Sequence, residues 1–188
     1  IDLEAFLLDD APHHAEQLAQ VRRAFVVRRQ AERQVVGVAR VAPAELLRQA
    51  ANALIEMQAH YRAVCPARDV IIDGLRSRPA GARILLACEN DEIAGLACFS
   101  AIYPGPGLTS GFFLKELYVR HNRRGAGLGK RLMARLAEIA RQEGHDRIDW
   151  TADADDLRLQ HFYELLGGRA LPEKRFFRIA GAKLRELA

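Results

Sequence analysis

Leu117–Lys130 reads L-Y-V-R-H-N-R-R-G-A-G-L-G-K, and the helical pattern R-L-M-A-R-L-A-E-I-A follows at once. Gly125, Gly127 and Gly129 stand between an apolar β-type run and a helix, with basic residues on both sides. A glycine-rich turn of this kind aims several backbone N–H groups at one point, and the positive end of the helix dipole adds to them. Glycine suits it because positive φ costs little and no side chain stands in front of an anion. The plain alternative is a glycine-rich turn with no ligand. Two familiar phosphate motifs fail on spacing. A P-loop, G-x-x-x-x-G-K-[ST], would need Gly where Arg124 stands and Ser or Thr where Arg131 stands. A dinucleotide fingerprint, G-x-G-x-x-G, would need its third Gly at Lys130.

Outward from the turn, Leu128, Leu132, Leu136, Ile139 and Ala140 share a face, which predicts a helix over Gly127–Glu143 stopped by Gly144. Phe112–Val119 and Arg147–Ala152 read as strands. Ala82–Glu89 and Ile93–Ile102 read as a hairpin around E-N-D-E, with Cys88 opposite Ile93 and away from Cys98. Tyr103–Ser110 is a loop by composition. Asp153 or Asp155 is expected to cap a helix carrying Leu159, Phe162, Tyr163 and Leu166, which Gly167-Gly168 ends. K-R-F-F-R-I at 174–179 has strand character. Upstream, helices are expected over Pro12–Arg29, Pro43–Tyr61 and after Pro66, with a strand over Val35–Val41. The whole reads as an α/β domain with a mixed sheet, residues 35–188, behind an N-terminal helical extension, residues 1–34, that could serve as a dimer arm.

Composition narrows the classes. With 188 residues, 49% apolar and 28% charged, the chain can bury a core and is not disordered. A net charge of +4 admits nucleic acid, anionic lipid or polyphosphate and does not choose among them. The basic N-terminal helix lacks aromatic interleaving or a reading motif, so no nucleic-acid partner is expected. No apolar stretch reaches the ~18 residues that cross a bilayer. The 3 cysteines contain no C-x-x-C, and no secretory signal is visible, so reduced thiols in a cytoplasm are expected. His60, His121, His145 and His161 lack metal-ligand spacing, and no metal is expected. The chain starts at Ile1 rather than Met, as a processed chain or a piece of a longer protein would.

The stretch L-Y-V-R-H-N-R-R-G-A-G-L-G-K-R-L-M resembles the acyl-CoA-binding motif of the GNAT superfamily of N-acetyltransferases, whose core [RQ]-x-x-G-x-[GA] falls on Arg124, Gly127 and Gly129. D-W-T-A-D-A-D-D-L-R-L-Q-H-F-Y-E-L-L-G-G, residues 149–168, resembles that family's second motif at the family's spacing. The branch it looks most like includes diamine and thialysine acetyltransferases. The likeness implies a mixed, mostly antiparallel twisted sheet flanked by helices, with acetyl-CoA as the acetyl donor. It implies that amides of Arg124, Gly125, Gly127, Gly129 and Lys130 hold the pyrophosphate, and that main-chain groups of Leu117 and Val119 pair with the pantetheine arm. That arm docks at a β-bulge in this fold. A bulge near Lys115-Glu116 would bring Leu114 and Leu117 to one face, although a strand buried on both faces would explain them equally well.

Acyl transfer to an amine needs a route for the amine's proton, and Glu116, on the strand beside the thioester, is the candidate base. Tyr163 occupies the place of a tyrosine that protonates the departing thiolate. Phe162 fits the core-aromatic role better, and His161 should face solvent. Asp156 replaces the motif's usual Asn as a cofactor contact. Lys115 stands within a pair that is acidic in polyamine acetylators, which argues against a polycationic acceptor. Likeness of fold puts Tyr61, Tyr103 and the loop from Pro104 beside the acceptor pocket. The expected activity is acetyl transfer to a primary amine of a small molecule or peptide. The alternative is a catalytically weak acyl-CoA-binding regulatory module.

Overall fold

Seven consecutive residues, Arg83–Glu89, are buried in a strand that starts at Ala82, as expected for a strand covered on both faces. The computed structural model describes residues 4–8, 25–30, 33–38, 43–89 and 91–188. The chain divides into two units, Ile1–Thr151 and Ala152–Ala188. The first holds strands β1 (Glu4–Leu8), β2 (Phe25–Gln30) and β3 (Arg33–Val38), helices α1 (Pro43–His60) and α2 (Arg68–Arg76), strands β4 (Ala82–Glu89), β5 (Glu92–Ile102) and β6 (Gly111–Val119), helix α3 (Leu128–Gln142) and strand β7 (Ile148–Trp150). The second holds α4 (Leu157–Leu165) and α5 (Ala182–Glu186).

A five-stranded sheet runs β1-β4-β5-β6-β7, antiparallel except for β6 and β7, which are parallel. The sheet is mixed and mostly antiparallel, as the likeness implied. Cys88 faces Ile93 and Cys98 faces Ile84, so the two thiols are not cross-strand partners. One face carries α1 and α2. Ala50, Ala51, Ala53, Met57 and Leu75 pack there on Ile84, Leu86, Cys88, Ile93, Leu96 and Tyr118. α3 lies against β4, β5 and β6 and buries Leu128, Leu132, Met133, Leu136, Ile139 and Ala140. Gly95 permits that approach. A Cβ there would sit 2.8 Å from the Tyr118 carbonyl oxygen and 3.3 Å from Leu132 Cδ1.

Three expectations need correction. The helix over Pro12–Arg29 gives way at its end to β2, which pairs with β3 and sets Val27 opposite Val36. β-Branched Val26 and Val27, with a matching run next in sequence, favour a hairpin over the helical periodicity; residues 12–24 lie outside the described residues. The first 34 residues are therefore not simply helical, since Glu4–Leu8 also adds an edge strand to the sheet. The strand expected over Val35–Val41 is β3, ending at Val38, with 39–41 outside the described residues. Second, the cap of α4 is Asp156, whose Oδ1 accepts the Leu159 N–H at 2.9 Å, rather than Asp153 or Asp155. Third, residues 174–179 form no strand. Strand propensity needs a ladder partner, and none of the described strands pairs with this segment; Phe176 and Phe177 are exposed.

Candidate active site

Strand β6 makes a β-bulge where the likeness placed one. Its register against β5 shifts between Cys98 and Phe99: Glu116 faces Cys98, Leu114 faces Phe99, and Lys115 is the extra residue. Because opposed residues share a face, the bulge sets Leu114 and Leu117 on the α3 side and Glu116 with Tyr118 on the α1 side. The parallel ladder to β7 covers Phe112–Leu114 and stops at the bulge. From Lys115 to Val119, that edge of β6 has no ladder partner among the described residues.

Past Val119 the chain makes a 3-10 turn at His121–Arg123 and enters the glycine turn. Gly125 and Gly127 adopt φ +85° and +75°. Gly127 is the N-cap of α3, with no side chain capping the helix and no acidic residue in its first turn. The N–H groups of Leu128, Gly129 and Lys130 thus lie before the first intrahelical bond, from Arg131 N–H to the Gly127 carbonyl at 3.1 Å. A Cβ at Gly125 or Gly127 would meet no protein atom within 4 Å, so within the chain itself it is the positive φ that calls for glycine here.

The arginines around the turn are committed inward. Arg120 Nε donates to Glu56 Oε2 at 2.8 Å. Arg123 lies 3.4 Å from Glu89 and 3.5 Å from Glu92. Arg124 donates through Nε to the Val119 carbonyl at 3.0 Å, and its guanidinium sits 5.6 Å over the Tyr118 ring. Glu56 is the residue that sequence reasoning missed. Its carboxylate also accepts the Tyr118 hydroxyl at 3.0 Å and the His121 N–H at 3.2 Å. Burial opposes its charge, but donors from Arg120, His121 and Tyr118, with the Arg120 charge, outweigh that and hold it below the usual carboxylate value. Tyr118 is pushed up to about 12 by burial and by its bond to Glu56. No local pattern marks a single Glu within an amphipathic helix as the centre of such a cluster.

Glu116 pairs with its neighbour, Lys115 Nζ to Glu116 Oε1 at 2.7 Å. Burial, followed by the charge of Glu116, pushes the Cys98 thiol up to about 12. The loop after β5 is tied by Arg147, which donates to Thr109 Oγ1 at 3.2 Å and to Asp149 at 3.0 Å. Its side chain fills the space that a Cβ at Gly105 or Gly111 would need. Tyr61 and Tyr103 are exposed. In the second unit Asp156 caps α4, and Tyr163 on that helix is buried with its ring 5.2 Å from Phe162. Phe162 is only partly buried, the reverse of the sequence expectation, whereas His161 is exposed as expected. Among the described residues, no three or more His, Cys, Asp or Glu side chains group as a metal site, and no helix is long and apolar enough to cross a membrane.

Residues 45–167 match the acetyltransferase (GNAT) family, and the chain belongs to it. It is 29% identical over 99 residues to the L-ornithine N5-acetyltransferase of Arabidopsis thaliana, across 52% of this chain and 43% of that protein. It is 34% identical over 84 residues to the thialysine N-epsilon-acetyltransferase of Sus scrofa, across 40% of this chain and 46% of the relative. The match thus spans less than half of either relative's length. An integron cassette protein from the mobile metagenome of V. cholerae superposes with a TM-score of 0.70 at 27% identity, over 78% of this chain and 93% of that one.

Proposed function

We propose that the chain is an N-acetyltransferase, with residues 35–188 as its domain, that moves an acetyl group from acetyl-CoA to a primary amine in a ternary complex. One observation carries the reading. The glycine turn at the head of α3, with no side chain capping it, follows directly on the Lys115–Val119 edge, which the bulge and the end of the β7 ladder leave without a strand partner among the described residues. Acetyl-CoA has the two matching parts, a diphosphate for the turn and an extended arm for the edge, and it supplies the acetyl group as a thioester.

In this reading the amides of Gly125, Gly127, Gly129 and Lys130 bind the diphosphate, the Arg124 N–H, expected from sequence to join them, being held at 3.4 Å by the His121 carbonyl, and Leu117 and Val119 align the arm through their main chain. A lysine-like amine has a pKa of about 10.4, so freeing its lone pair near pH 7 costs roughly 4–5 kcal/mol. Glu116 takes that proton, directly or through water. The Tyr163 hydroxyl gives a proton to the departing thiolate. Asp156 contributes through the N-terminus of α4, which its side chain caps. The names of the two relatives, together with Lys115 beside Glu116, support as acceptor a side-chain amine on a free amino acid or peptide rather than a polycation. A lysine at the bulge attracts a carboxylate and repels further positive charge.

The deciding experiment measures free thiol released from acetyl-CoA against ornithine, thialysine, lysine-ended peptides and spermidine. Turnover with the amino-acid amines above spermidine supports the proposal. CoA binding without turnover on any amine would replace the enzyme by a regulatory module. Absence of CoA binding would remove both.

A further inference from the structure

We infer that Glu56 is a positioning residue for the glycine turn, holding it from α1 in the shape that receives a diphosphate; the inference rests on the acyl-CoA reading above. One carboxylate gathers three donors from a short stretch of chain: the Tyr118 hydroxyl and His121 N–H on Oε1, and Arg120 Nε on Oε2. Each of the three leads into the turn. The Arg120 carbonyl accepts the Arg123 N–H at 2.9 Å, and the His121 carbonyl accepts the Arg124 N–H at 3.4 Å. The Tyr118 ring lies under the Arg124 guanidinium, which in turn holds the Val119 carbonyl. Fixing Arg120, His121 and Tyr118 therefore fixes where Arg124 and Gly125 begin.

Glu56 is ill suited to take a proton from substrate, since both its oxygens already accept hydrogen bonds. A carboxylate is needed, because glutamine at 56 could still accept from Tyr118 and His121 but would turn an N–H₂ group toward Arg120. Glu89 and Glu92 perform a lesser version of the task by holding Arg123. Their contacts are longer, 3.4 and 3.5 Å, and go to the Arg123 guanidinium rather than to its main chain.

The test uses the full chain and its Glu56→Gln variant, at a temperature where circular dichroism shows both folded. CoA affinity is measured by calorimetry, and amide hydrogen exchange is followed without ligand. Glu56→Gln should weaken CoA binding about tenfold, as expected for loss of a charge-assisted hydrogen bond. It should also speed exchange at Arg123–Gly127 while leaving the β4 amides unchanged. A merely structural role would lower the melting temperature and leave the affinity of the folded protein, and exchange in the turn, as in the parent; that result overturns the inference. If the parent chain itself fails to bind CoA, the acyl-CoA reading falls, and the exchange data alone decide whether Glu56 holds the turn. Should Glu56→Gln not fold, Tyr118→Phe removes one of the three bonds and is expected to weaken CoA binding about threefold. Unchanged affinity in that variant counts against the inference.

Discussion

Arg83 and Glu143 form a two-point ion pair that joins β4 to the end of α3, Nη1 to Oε2 at 2.7 Å and Nη2 to Oε1 at 2.8 Å. The Arg83 guanidinium also lies 5.0 Å over Phe99 and 5.5 Å over Phe112, so it sits in the core layer under α3. Removing Glu143 takes this two-point contact away from a buried cation. Glu143 is 39% exposed, which lowers the cost below that of a fully buried pair, to about 2 kcal/mol. For a chain of this size that corresponds to a fall in melting temperature of about 4–8 °C. Glu143→Ala should show it in thermal unfolding, and adding Arg83→Met should recover much of it. A melting temperature unmoved by Glu143→Ala would show that the pair contributes nothing.

Gly127→Ala separates shape from stability. The new Cβ has open space, so the cost is that of a left-handed residue, about 1–2 kcal/mol. The fold should survive with a lower melting temperature. CoA affinity should fall by more than stability accounts for, because the amides of the turn re-aim. Full CoA affinity in the folded variant would disconnect Gly127 from the ligand.

Cys98 should be slow toward alkylation. With its thiol pushed up to about 12, only about one in ten thousand is ionised at pH 8, and the thiolate is the reactive form. Mass spectrometry after brief iodoacetamide treatment should therefore find Cys65 labelled before Cys98. Because the charge of Glu116 is one cause of the shift, Glu116→Gln should speed labelling of Cys98. Equal rates in parent and variant would mean that the carboxylate does not act on the sulfur.

Tyr163→Phe tests the proposed acid. A thiol of ordinary pKa, about 8.5, leaves with modest help, so kcat should fall by at most about a hundredfold while CoA affinity is kept. A loss of many thousandfold with CoA binding intact would mean that the hydroxyl does more than protonate a leaving group.

Glu56 should leave a mark on the acid limb of stability. Its folded pKa lies below the ordinary value, so its contribution is present above the usual glutamate pKa of about 4.3 and is lost as pH falls further, through the folded pKa. The gap in melting temperature between the parent and Glu56→Gln should therefore be widest near neutrality and close in acid. A gap that persists unchanged at pH 3 would show that charge is not what Glu56 supplies.

The glycine turn and the alternation of strands and helices around it were legible because each is written in neighbouring residues, and glycines reach the φ a turn demands. The bulge was implied by the likeness; the spacing of Leu114 and Leu117 fitted a strand buried on both faces equally well, and only the register against β5 shows Lys115 as the extra residue. Phe25–Gln30 misled for the opposite reason. Its apolar spacing suits a helix as well as a strand, and pairing with Arg33–Val38 settles the choice. The tail at 174–179 erred in the same way, since aromatic content speaks for a strand and only a partner can make one.

From sequence alone came the glycine turn and the helix that starts on it, because a turn's backbone angles and a helix's first amides are properties of adjacent residues. Which charges would surround it was decided by the fold. Arg120, Arg123 and Arg124 look like a cationic rim along the chain, yet packing turns each toward a partner, and Glu56 reaches two of the residues leading into the turn across 64 and 65 positions of sequence. Contacts between residues so far apart depend on how helix and sheet stack, and no local pattern encodes that.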